Sequence, residues 1–143
     1  MIVLDTTVLL YAVGTGHPLR EPCRRLLGAP AASGLTTTAG VLQEFVHVRE
    51  HRRPRSDAVE LGRSYLTLLR PLLEVPEPAV ERALSLLDDH AELGAFDAVL
   101  AAAAAHAGCR AVVTADRAFA RIEGLPVTFP DEPGVAALLG GDR

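Results

Sequence analysis

Short apolar runs alternate along this chain with longer stretches in which apolar residues recur at helical spacing. Ile2-Val3-Leu4 predicts a short buried strand ended by Asp5. Thr6 to Val13 reads as a helix closed by Gly14, and Pro18 to Leu27 as a second, arginine-rich helix stopped by Gly28. Ala29 to Gly34, with Pro30 and Ser33, reads as a loop before a brief strand at Leu35-Thr36. Thr37 or Thr38 can cap the next helix, whose broad apolar face is Val41, Leu42, Phe45, Val46 and Val48.

Pro54 ends that helix after a basic stretch. Ser56 is placed to cap another, with Ala58, Leu61, Tyr65, Leu66 and Leu69 at helical spacing. Leu72 to Val75 reads as a strand. Pro78 suits a first helical turn, and Val80, Ala83, Leu84 and Leu87 form the stripe that follows. Gly94 precedes a helix from Ala95 to Ala107 that Gly108 closes. A strand at Ala111 to Thr114, a short helix around Arg117 to Ile122 and a strand at Val127 to Phe129 come next. One further turn is expected near Val135 to Leu139, in a tail that otherwise frays. Strands alternating with helices predict an α/β fold. Its core is a short parallel sheet of about 4–5 strands with helices on both faces. No internal repeat, low-complexity segment or linker divides it.

At 143 residues the chain is one domain, long enough to bury a core. No apolar run reaches the length of a membrane span, so no membrane partner is expected. The start MIVLDTT lacks the basic region of a signal peptide, so residence in the cytoplasm is the default expectation. Cys23 and Cys109 match no metal or redox spacing and read as buried thiols. All 14 basic residues are arginine. The absence of lysine excludes a Walker-A loop, a Schiff base and lysine-dependent phosphotransfer. A net charge of −4 does not itself suggest nucleic acid, but it changes meaning if several acids hold a cation.

Four acids stand out. Asp5 and Asp116 lie just past the carboxyl ends of the expected buried strands, the rim where open α/β sheets bind ligands. Singly each has an ordinary explanation: Asp5 and Asp116 can cap the helices after them, and Asp97 in a first turn suits the helix dipole. Glu44 interrupts or borders an apolar helix face between Val41 and Val48. An unpartnered carboxylate facing inward there costs several kcal/mol or takes up a proton. FDAVLAAAAAHAG is apolar nearly all round, so Asp97 must face something polar. Four carboxylates at one rim would resist ionising together unless a divalent cation held them, and hard oxygen donors suit Mg²⁺ or Mn²⁺. Such ions can activate a water against a phosphodiester, leaving a 5′-phosphate and a 3′-hydroxyl.

These residues, in this order, resemble the PIN domain, and in particular the VapC-type toxin ribonucleases of toxin–antitoxin pairs. The resemblance rests on MIVLDTTVLLYA, VLQEFVHV and FDAVLAAAAAHAGCRAVVTADRAF. It implies a PIN-like nuclease domain over residues 1–130 followed by a C-terminal tail over 131–143. It implies a metal-dependent endoribonuclease, the toxin component of a type II toxin–antitoxin system. The family's catalytic and metal-binding acids fall on Asp5, Glu44, Asp97 and Asp116. Thr6 and Thr114 take supporting positions, while Thr7 departs from the asparagine of many relatives. RNA as substrate, Mg²⁺ or Mn²⁺ as cofactor, an antitoxin partner and a homodimer are implied with it.

The stretch HVREHRRPR begins one turn after Glu44 and offers Arg49, Arg52, Arg53 and Arg55 to RNA phosphates. The alternative for these four is a solvated helix end. Arg20, Arg24 and Arg25 form a second basic group. His47-Val48-Arg49-Glu50-His51 also matches the H-x-x-E-H pattern of one class of zinc peptidases. Pro54 and the crowding arginines stand against a zinc metallopeptidase built on His47, Glu50 and His51. A catalytically inactive PIN-like interaction module is the non-enzymatic alternative.

Overall fold

Ile2–Leu4 form strand β1, with all three side chains fully buried, as expected of a strand covered on both faces. The computed structural model describes residues 1–30 and 33–140. β1 and β3 (Ala111–Val113) are the inner strands, flanked by β2 (Leu35–Thr36) and β4 (Val127–Thr128). All neighbours in the order β2-β1-β3-β4 run parallel, with Ile2 opposite Leu35 and Ala111, and Val112 opposite Val127. Every strand therefore delivers its carboxyl end to the same rim.

Seven α-helices among the described residues accompany this sheet: α1 (Thr6–Val13), α2 (Arg20–Leu27), α3 (Ala39–Glu50), α4 (Arg55–Leu69), α5 (Glu77–Asp89), α6 (Ala95–His106) and α7 (Glu132–Gly140). Thr38 caps α3, its hydroxyl accepting from Val41 N–H at 3.2 Å. Gly108 follows α6 at φ +64°, a conformation that costs a side chain-bearing residue more. Phe45 of α3 is fully buried and meets the edge of Tyr65 of α4, ring centroids 4.9 Å apart. A 3-10 helix over Arg117–Arg121 is pinned to the sheet edge by Arg117, which lies 4.5 Å over the Phe129 ring. No helix among the described residues is long and apolar enough to cross a membrane.

Several local expectations change. Leu72 to Val75 makes one bridge, Leu73 to Thr38, and no strand; Pro71 and Pro76 flank it and cannot donate to a ladder. α4 starts at Arg55 with Pro54 before it, so Ser56 is not its cap. On α5 the buried residues are Ala79, Ala83 and Leu86, while Val80 and Leu84 are 41% and 61% exposed. α5 packs against α6, and both helices bury small residues: Ala79 and Ala83 on α5, Ala98 and Ala101 to Ala104 on α6. The turn expected near Val135 is the nine-residue α7, which packs on α2 with Val135 fully buried. Parts of two expected irregular segments, residues 31–32 and 141–143, lie outside the described residues.

Candidate active site at the rim of the sheet

β1 ends at Asp5, whose N–H donates to Val113 O at 3.0 Å and so ties the residue to β3. The side chain is only 3% exposed. Its Oδ1 accepts from Thr6 N–H at 2.7 Å, and its Oδ2 from the hydroxyls of Thr7 (2.9 Å) and Thr114 (2.7 Å). Burial pushes this carboxyl above its ordinary 3.8, and the bonds from Thr114, Thr7 and Thr6 oppose the rise. The helix-capping reading of Asp5 is thus correct as geometry, and the residue also stands in the cleft.

Glu44 is half-buried on α3 and accepts from the Thr6 hydroxyl at 2.9 Å. Asp116 precedes the 3-10 helix and caps it, accepting from Ala118 N–H at 2.9 Å. Its own N–H donates to Thr114 Oγ1 at 3.0 Å, so one threonine hydroxyl links Asp5 to Asp116. Asp97, in the first turn of α6, is raised from 3.8 to about 7. Burial is the largest cause. The charges of Asp5, Asp116 and Glu44 add to it, with a hydrogen bond to Asp116. Four acids from four elements thus share one field. Asp5, Glu44 and Asp97 line a cleft of about 280 Å³ walled by Val41, Phe96 and Leu100.

The donor set fits a hard divalent cation, being all oxygen and overcharged without one. Among the described residues no three of these acids bring an oxygen each within 4.8 Å of one another. A hard cation of this class keeps several of its waters and can be held by one or two carboxylates directly.

Thr7, noted in the sequence only as a departure, is part of this arrangement. It donates to Asp5 and accepts from Ala115 N–H at 3.0 Å, using its hydroxyl in both senses. Its place two residues after Asp5, at the start of a helix, was the available signal. The arginines divide. Arg49 donates to Asp57 at 2.6 Å and to Val13 O at 3.3 Å, with a side chain only 14% exposed. Arg55 pairs with Glu50 at 3.2 Å, and Arg52 and Arg53 are exposed. In the second basic group, Arg24 faces Glu21 at 3.8 Å and Arg25 pairs with Glu132. His47, Glu50 and His51 do come together, at the end of α3.

A parallel α/β sheet with carboxylates gathered at its carboxyl rim can hold a cation there. The family model for the PIN domain matches residues 2–125, and the chain belongs to that family. It is 51% identical over 143 residues to "Ribonuclease VapC7" of Mycobacterium tuberculosis, covering 98% of this chain and 99% of that protein. It is 35% identical over 130 residues to "Ribonuclease VapC23" of the same species, covering 84% and 96%. The fold is shared with M. tuberculosis VapC20, described as a sarcin-ricin loop cleaving toxin, at TM-score 0.72 and 23% identity over 88% of this chain and all (100%) of that one. It is shared too with FitAcB from Neisseria gonorrhoeae, at TM-score 0.70 and 23% identity over 91% and 98%. A metallopeptidase fold is therefore not what carries the H-x-x-E-H pattern.

Proposed function

We propose that the chain is a Mg²⁺- or Mn²⁺-dependent endoribonuclease and the toxin of a type II toxin–antitoxin pair. Asp5, Glu44, Asp97 and Asp116 hold the cation, and Thr6, Thr7 and Thr114 hold the acids. The observation that carries the reading is the shared field at Asp97, which three other carboxylates help to raise to about 7. The substrate and partner classes rest on the ribonuclease names of the relatives and on the resemblance. Bound Mg²⁺ or Mn²⁺ would polarise the phosphodiester and ease ionisation of the attacking water.

The protein's own part is positioning. Three donors fix Asp5 in one orientation, and Thr114 sets Asp116 against it. With its carboxyl raised to about 7, Asp97 is partly protonated near neutral pH in the metal-free protein, and a bound cation would favour the ionised form. A second cleft, of about 310 Å³, runs from Thr7 to Arg52 past Tyr11 and His17, whose rings lie 4.4 Å apart. An arginine beside aromatic rings suits single-stranded RNA, through phosphate contact and base stacking. Arg52, with Arg53 and Arg55 beside it, takes the phosphate role.

A broad groove of about 750 Å³, with Leu42, Val46, Leu66 and Phe96 in its walls, reaches Glu44. An antitoxin segment with apolar side chains fits it and would cover the acids. Exposed Val80 and Leu84 offer an apolar face for a homodimer. Action on cellular RNA places the protein in the cytoplasm.

The test is cleavage of total cellular RNA by antitoxin-free protein in Mg²⁺, Mn²⁺ or EDTA, beside Asp5→Asn. Discrete fragments with 5′-phosphates are expected, requiring metal and lost in the variant. A 2′,3′-cyclic phosphate would overturn the mechanism. RNA left intact by folded protein, with no defined target supporting turnover, would favour the inactive module.

A further inference from the structure

We propose that His47, Glu50 and His51 form a second metal site at the end of α3, for a borderline cation of the Zn²⁺ class. The three side chains offer ligand atoms that all lie within 4.8 Å of one another. Their spacing of three and four residues puts them on one face of the helix. His51 Nδ1 lies 2.6 Å from the His47 carbonyl oxygen, which can only accept. The Nδ1 therefore carries the proton, and Nε2 presents its lone pair. Metal-binding histidines are held this way, with the other ring nitrogen donating to a carbonyl or carboxylate.

Donor chemistry separates this place from the rim. Two imidazoles and a carboxylate are a zinc-type set, and imidazole also suits nickel and copper, whereas the rim offers oxygen alone. Bonds of about 2.0–2.1 Å put tetrahedral donors roughly 3.3 Å apart, inside the 4.8 Å within which these three lie. Both histidines are exposed and free to settle at that spacing. The neighbouring arginines oppose a cation, but Arg49 is neutralised by Asp57 at 2.6 Å. Arg55 engages only Glu50 Oε2, at 3.2 Å, from a side chain 82% exposed, and can swing away. In that setting the negative charge of Glu50 matters as much as its oxygen.

Glu44 lies one turn before His47, and the broad groove that reaches Glu44 is also lined by His47 and Glu50. An occupied site would fix the last turn of α3 and set a positive charge at the groove's edge. Three protein ligands leave a fourth position for water. None of this depends on the ribonuclease reading.

The experiment titrates Zn²⁺ into the metal-stripped full chain in competition with a chromophoric chelator. The proteins are wild type, His47→Ala/His51→Ala, Glu50→Gln and Asp97→Asn/Asp116→Asn. One strongly held Zn²⁺ per chain is expected, weakened about 100-fold or more in the double histidine variant and about 10-fold in Glu50→Gln. The rim variant should keep it. Histidine ¹⁵N spectra should place the metal on Nε2 of His51. Zinc binding unchanged without both histidines, zinc lost with the rim acids instead, or no zinc bound at all would each overturn the site. Because both histidines are at the surface, the melting curve of the double histidine variant should match wild type without metal, and Glu50→Gln preserves shape if it does not.

Discussion

Asp97→Asn should make the metal-free protein more stable while abolishing cleavage. The rise of the Asp97 carboxyl from 3.8 to about 7 is a difference in proton affinity with a ceiling of about 4 kcal/mol. Asp97 keeps contact with solvent, and screening reduces this to about 2 kcal/mol. Asparagine also forfeits a favourable charge in the first turn of α6, worth about 0.5–1 kcal/mol. About 1 kcal/mol remains in favour of the variant, or about 3 °C in melting temperature for a domain of this size. The folded protein binds the proton more tightly than the unfolded chain, so the wild type loses stability as pH climbs from 3.8 through about 7. Below that window both states are protonated and no gap is expected; above it the gap is full. Thermal melts in EDTA at pH 4 and pH 8 read it directly. Saturating Mn²⁺ should then reverse the order, because the wild type binds it better. A variant no more stable than wild type at pH 8 in EDTA would refute the shared field.

Thr114→Val removes a 2.7 Å bond to buried Asp5 and the acceptor for Asp116 N–H, costing about 1–3 kcal/mol. Asp5 then holds its proton more tightly, so the acid limb of the pH–rate profile should move to higher pH, with Thr114→Ser restoring it. An unmoved limb would assign Thr114 to packing alone. Arg52→Ala/Arg53→Ala should weaken RNA binding and reduce its salt dependence by about two phosphate contacts, with melting unchanged. Arg49→Ala should instead lower stability by about 1–2 kcal/mol through loss of the Asp57 and Val13 contacts. Salt titrations of RNA binding, read beside melting curves, separate the two.

The sequence carried the rim better than the helix faces, for a physical reason. β1 and β3 are short and buried on both sides, so Ile2-Val3-Leu4 and Ala111-Val112-Val113 are legible without a partner. An acid just past such a strand has one place to go. Glu44 and Asp97 were legible because each contradicts the apolar surface around it. What was not legible depends on neighbours distant in sequence. α5 buries Ala79, Ala83 and Leu86 as it packs on α6, and larger Val80 and Leu84 misdirect a reading made from α5 alone. Arg49 looks like its neighbours until Asp57 and Val13 come within reach. Thr7 needed the geometry of Ala115, 108 positions away, before its hydroxyl acquired two partners.

The rim acids come from β1, α3, α6 and the segment after β3, so their repulsion arises only as folding completes. The threonines that orient them do not remove that cost, since burial still outweighs the bonds at Asp5. A cation does. At a free concentration one hundred times its dissociation constant, a ligand that binds only the folded state adds about 2.7 kcal/mol. That exceeds the roughly 2 kcal/mol left at Asp97 once solvent screening is allowed for. The loaded protein should thus be the more stable form under conditions where it cleaves RNA, and the empty one should gain from losing an acid. Cation saturation and the removal of Asp97 relieve the same strain, so their effects on stability should not add.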